Sequence, residues 1–153
     1  MTKPEWDRAF GFVLYETARL LGKRFDQKAK ALGLTRAQCQ VLFRLVVHEG
    51  LNQARIAEIL EIEPISLARL IDRMEEAGWV ERRSDPTDRR ARLLYLTAKA
   101  KPVIDRMIEV GLATRAEALA GLSGAEREKL LELLLRVRGN LSEKSGDGEG
   151  HGR

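Results

Sequence analysis

Within eight residues the chain places three side chains that could read another molecule by hydrogen bonding, Ser66, Arg69 and Arg73. If this segment is helical, about 100° per residue sets them on one stripe, roughly 120° from an apolar stripe of Leu67, Leu70, Ile71 and Met74. A guanidinium fork matches paired acceptors such as N7 and O6 of guanine, and a hydroxyl can meet a base edge or a phosphate. The alternative is a solvated face on which Arg69 and Arg73 pair with Asp72, Glu75 or Glu76 at helical spacing.

A second set of donors follows. From Arg82 to Arg92 there are five arginines against two aspartates, while Glu58, Glu61 and Glu63 form an acidic stretch upstream. Concentrated positive charge is what a phosphate-tracking surface needs. Arg89, Arg90 and Arg92 could equally be a solvated run. Trp79–Arg83 and Arg92–Leu96 read as two strands, joined by a long loop, 84–91, in which Asp85-Pro86-Thr87-Asp88 suits a type I turn. A basic loop so placed could reach a minor groove, where narrow A·T-rich DNA attracts arginine. Asp88 would pair with an arginine guanidinium and pre-orient it.

Helices must position both sets. A first helix is expected from Pro4 to Ala31, with Phe10, Val13, Leu14, Leu21 and Phe25 on its apolar stripe and Gly33 closing it. Thr35 and Gln38 form a capping box opening a second helix to Gly50, burying Val41, Leu42, Leu45 and Val46. Asn52 caps a short third helix that buries Ile56, Ala57 and Leu60, and Pro64 opens a fourth that stops at Gly78. Closely spaced short helices of this kind form a helix-turn-helix candidate. Thr97 caps a fifth helix to about Ala120, and Ser123 with Glu126 caps a sixth to about Leu141. The long first helix and the leucine-rich last one carry more apolar surface than one small domain buries, which argues for pairing with a second chain. From Ser142 to Arg153 glycine and charge alternate, reading as a disordered tail.

Composition narrows the function class. The net charge is +4 over 153 residues, with 44% hydrophobic and 33% charged residues. The apolar runs are broken by charges, so neither a signal peptide nor a membrane span is expected, and the chain reads as cytoplasmic with no membrane partner. A single cysteine, Cys39, excludes an internal disulfide and reads as core packing. His48 and His151 make no metal site, and no phosphate loop, nucleophile elbow or paired metal motif supports an enzyme. Trp6, Trp79 and Tyr95 read as core or interface anchors.

Taken together, the segment Glu63-Pro-Ile-Ser-Leu-Ala-Arg-Leu-Ile-Asp-Arg-Met-Glu-Glu-Ala-Gly78, then Asp85-Pro-Thr-Asp-Arg-Arg-Ala-Arg92 and Leu94-Tyr-Leu-Thr97, resembles the MarR/SlyA family of bacterial transcription regulators. The similarity runs from about Ala9 to Leu141. It implies a mainly α fold with a small β-hairpin wing: a winged helix-turn-helix domain over 35–97, a helical dimerisation region from 1–34 and 98–141, and the tail from 142–153. It implies a homodimer on a pseudo-palindromic double-stranded operator. Ser66 and Arg69 would touch the major groove, Arg90 would enter the minor groove braced by Asp88, and Gln53 and Arg55 would lie near phosphates, although the last two also fit ordinary surface; Ile65, Arg73 and Arg89 belong to the same DNA-binding set. A sequence-specific, ligand-responsive repressor follows, with no cofactor and with a small phenolic or aromatic acid as effector. Arg19 could meet such an acid or form a surface or intersubunit salt bridge. Family members that sense oxidants use a first-helix cysteine, and Gly11-Phe-Val-Leu-Tyr15 contains none. The competing reading is a winged-helix protein-interaction module without direct DNA readout.

Overall fold

The computed structural model describes residues 3–143. Of the expected tail, Ser142 and Glu143 close the last helix, and residues 144–153 lie outside the described part. The chain divides into two compact units, one ending at Thr114 and the other starting at Arg115.

The first unit opens with a short helix α1 (Lys3–Trp6) and a long one, α2 (Phe10–Lys30). The single helix expected from Pro4 is thus broken. The N–H groups of Arg8 and Ala9 close tight i−3 turns onto Glu5 and Trp6, and Ala9 is extended, with ψ of 133°. Gly33 has φ of +73° and ends the helical path as expected. In α3 (Arg36–Val47) the capping box is complete: Thr35 Oγ1 accepts from the Gln38 N–H at 3.2 Å, and Gln38 Oε1 accepts from the Thr35 N–H at 3.0 Å. Asn52 Oδ1 accepts from the Ala54 N–H at 2.8 Å and starts α4 (Gln53–Leu60). Pro64 stands at the start of α5 (Pro64–Glu76).

Between these helices lies one core. Val41, Leu42 and Leu45 of α3, Ile56 and Ala57 of α4, and Leu67, Leu70, Ile71 and Met74 of α5 are all buried. Each large member removed from water contributes about 1.5–3 kcal/mol. Val46, expected in this core, is 45% exposed. It stands in the last turn of α3, past Leu45, the last buried member of that helix.

A three-stranded antiparallel sheet, ordered β1-β3-β2, covers the remaining side. Strands β2 (Val80–Asp85) and β3 (Asp88–Leu96) form a hairpin, and β1 (Leu51–Asn52) pairs Leu51 with Leu94. The long loop expected over 84–91 is therefore absent. Only Pro86 and Thr87 separate the strands, and the arginine-rich residues belong to β3. Their lack of apolar alternation hides the strand, because both faces are wet at its tip.

After β3, a 3-10 turn (Ala98–Ala100) leads into α6 (Lys101–Ala118). Thr97 does not cap it with its side chain; its hydroxyl donates instead to the Gly78 carbonyl, tying the sheet's end to the turn after α5. In the second unit the box at Ser123 is complete: Ser123 Oγ accepts from the Glu126 N–H at 3.2 Å, and Glu126 Oε1 accepts from the Ser123 N–H at 2.9 Å. That bond holds the Glu126 carboxyl below its ordinary range. It opens α7 (Gly124–Glu143), whose Leu130, Leu131, Leu133, Leu134 and Leu135 are exposed. Among the described residues no helix is long and apolar enough to cross a membrane.

Candidate nucleic-acid interface

Helix α5 presents its two faces as its spacing requires. With Leu67, Leu70, Ile71 and Met74 buried, Ile65, Ser66, Arg69 and Arg73 are exposed on the other side. The solvated-face alternative needs acids to occupy the arginines. Among the described residues no ion pair engages Arg69 or Arg73: Asp72 and Glu75 are taken by Arg82, and Glu76, three residues after Arg73, forms no ion pair with it. Glu63, at the N-cap of α5, makes no side-chain cap hydrogen bond to its first turn.

Arg82, absent from the site residues expected from the sequence, is the most connected side chain of the site. Its Nε donates to Gln53 Oε1 at 2.9 Å and its NH2 to the Ala68 carbonyl at 3.0 Å. Its NH1 lies 2.7 Å from Asp72 Oδ1 and 3.2 Å from Glu75 Oε1, and its backbone N–H donates to Glu75 Oε2 at 3.0 Å. The side chain is 18% exposed. Strand alternation offers a signal for it: Arg82 pairs across the ladder with buried Leu94 and shares the inward face with Val80. An arginine on an inward face must find acceptors.

The hairpin tip holds two successive side-chain turns. Asp85 Oδ1 accepts from the Thr87 N–H at 2.8 Å and from the Thr87 hydroxyl at 2.7 Å, which holds its carboxyl below the usual range. Asp88 Oδ1 accepts from the Arg90 N–H at 3.0 Å. The expected pairing of Asp88 with a guanidinium is thus replaced by a bond to the backbone. Register explains the need. Ser84 faces Arg92 and Asp85 faces Asp88, so β2 advances one residue while β3 advances four. Arg89, Arg90 and Ala91 are left as a bulge, a device that re-aims side chains. Ala91 is buried and anchors it, while Arg89 and Arg90 are exposed and without an ion pair among the described residues.

The other wing arginines are occupied. Arg92 reaches Ser84 Oγ at 3.3 Å, and Arg83 binds Glu81 while lying 3.9 Å from the centre of the Tyr95 ring. A cleft of about 280 Å³ separates the bulge from the starts of α4 and α5; Asn52, Gln53, Pro64, Asp88, Arg90 and Ala91 are among its lining residues. Gln53 and Arg90 are therefore brought together. Arg55 is not at this cleft and pairs with Glu58 at 3.0 Å on the exposed side of α4. Arg19 lies on α2, holding Glu16 through two bonds of 3.1 and 2.9 Å that keep the Glu16 carboxyl low. It would have to release Glu16 before meeting a ligand.

Cys39 is buried in the core at 2% exposure, and burial pushes its thiol up to about 11. Among the described residues no cluster of His, Cys, Asp and Glu could hold a metal ion.

The sequence model of the MarR family matches residues 32–91, the span from the end of α2 to the wing bulge. Among solved structures, the transcriptional regulator SlyA is 33% identical, covering 86% of this chain and 92% of that one, with a TM-score of 0.69. The transcriptional repressor CouR, solved on a 23-mer DNA duplex, is 27% identical over 90% of this chain and 98% of its own, with a TM-score of 0.71. A mutant MarR from E. coli, solved with operator DNA, is 25% identical over 83% and 91% of the two chains, with a TM-score of 0.67. The fold thus recurs over more than four-fifths of the chain, at up to 33% identity, and the chain belongs to the MarR family of winged helix-turn-helix transcription regulators, a family of non-enzymes.

Proposed function

We propose that the protein is a homodimeric, sequence-specific repressor that binds a pseudo-palindromic operator, with α5 in the major groove and the Arg89–Arg90 bulge in the flanking minor groove. The observation that carries this reading is the division of the arginines. Arg69, Arg73, Arg89 and Arg90 are exposed without an ion pair among the described residues, while Arg82, Arg83 and Arg92 are held by protein groups. Exposed guanidinium groups that no carboxylate occupies are available to meet phosphates and release their counterions. Two relatives of this fold were solved on DNA, which supports the same partner here.

Dimer formation is supported by apolar residues left in water. Phe10, Tyr15 and Leu20 of α2 and Leu131 and Leu135 of α7 are exposed, and a second copy would cover such surface. Ligand control by a small phenolic or aromatic acid is supported by the family resemblance. A dimer meeting about 8 phosphates gives a log–log salt slope of about −7. Titrating labelled duplex with protein over a salt series, beside sedimentation of the free protein, tests the reading. A steep slope and a dimer mass support it; salt-independent binding or a monomer at micromolar concentration argues against it. Release of the duplex by a hydroxybenzoic acid, and not by acetate, tests the effector.

A further inference from the structure

We propose that Arg82 is a positioning residue that keeps Asp72 away from Arg69, and so holds the reading face of α5 open; this rests on the DNA-binding role argued above. Asp72 stands three residues after Arg69, the spacing at which an exposed helix forms ion pairs. Two guanidinium groups therefore compete for one carboxylate. Arg82 wins because its side chain is mostly buried and already fixed by Gln53 Oε1, the Ala68 carbonyl and Glu75. Asp72 itself is 58% exposed, so the advantage lies in the donor: a guanidinium that is already fixed loses little freedom in making the pair. Asp72 accordingly lies 2.7 Å from Arg82, and Arg69 has no ion pair among the described residues.

The same guanidinium also selects which end of Gln53 is outward. With Oε1 accepting from Arg82 Nε, the amide NH2 of Gln53 is the end left to donate at the cleft it shares with Arg90. Arg82 thus acts on both the groove-facing helix and the phosphate-facing start of α4, from a strand that itself faces inward.

Arg82→Met, Asp72→Asn and the double variant test this, read by solvent exchange of the Arg69 Nε–H in NMR, by affinity for a selected duplex against a random one, and by the thermal midpoint. In the parent, Arg69 exchanges as a free arginine. Arg82→Met slows that exchange severalfold and cuts discrimination by about tenfold. Adding Asp72→Asn to Arg82→Met restores both exchange and discrimination without restoring the thermal midpoint. Asp72→Asn alone leaves Arg69 exchange and discrimination as they were. A structural role alone would leave the double variant as impaired as Arg82→Met. Unchanged exchange in Arg82→Met, or no recovery in the double variant, overturns the proposal. Should Arg82→Met fail to fold, faster Arg69 exchange in Asp72→Asn alone overturns it as well. A parent that discriminates no duplex defeats the DNA-binding reading, and the exchange data still decide how the charge is shared.

Discussion

The Asp88 carboxylate accepts a hydrogen bond from the Arg90 backbone N–H at 3.0 Å, so the acid among the wing arginines fixes the chain and not a guanidinium. A backbone acceptor can be supplied by asparagine as well as by aspartate. Asp88→Asn should therefore keep the bulge and, by removing a negative charge beside phosphates, bind duplex as tightly as the parent or a few-fold tighter. Asp88→Ala should lose about 1 kcal/mol of affinity through a slacker bulge. Anisotropy titrations at fixed salt compare the three. Asp88→Asn binding as weakly as Asp88→Ala would show that the charge itself is needed.

The two unpaired arginine groups should fail differently. Arg69→Ala is expected to cost about 1–3 kcal/mol on a specific site and to relax preference at one base pair. Arg90→Ala should weaken binding on all sequences and flatten the salt slope by about 1. Competition titrations with single-substitution duplexes over a salt series separate the two patterns.

How legible these parts were depended on their range. The boxes at Thr35–Gln38 and Ser123–Glu126, the proline opening α5 and the stripe from Leu67 to Met74 are set within one or two helical turns, and each formed as its spacing required. The free face of α5 was legible for the same reason. Arg82 was not, since its bond to Gln53 spans 29 positions. Nor was β1, two residues long, whose existence depends on Leu94 lying opposite Leu51. The wing is marked in the sequence by its arginines but reads there as a loop, because a bulged, wet hairpin tip lacks the alternation that marks a strand.

Glu61 ends α4 with φ of +53°, a left-handed conformation that costs an ordinary residue about 1 kcal/mol or more. Glu61→Gly should relieve that strain, offset in part by greater freedom of the unfolded chain, for a net gain of about 0.5–1 kcal/mol. Glu61→Val should be destabilising by a larger amount, since a β-branched residue fits that conformation worst. Urea denaturation midpoints measured for both variants should move in opposite directions.

Burial of the Cys39 thiol makes it inert at neutral pH. With the thiol pushed up to about 11, only about one molecule in a thousand holds thiolate at pH 8. Ellman's reagent should react only as fast as the chain opens, and dilute peroxide should leave duplex affinity unchanged. Linkage gives the sign of the pH effect. The unfolded thiol ionises near its ordinary value and the folded one near 11, so this group's contribution is intact below the unfolded value and is lost as pH rises toward 11. Thermal midpoints of parent and Cys39→Ala should accordingly converge at alkaline pH.

Selecting bound duplexes from a random pool tests most directly whether α5 and the wing read DNA as a symmetric pair. The account predicts a two-fold-symmetric consensus with half-sites about one helical turn apart, flanked by A·T-rich steps where Arg90 would enter, and lost on Arg69→Ala. A pool that stays unenriched after repeated rounds, or an enriched site without two-fold symmetry, would contradict it.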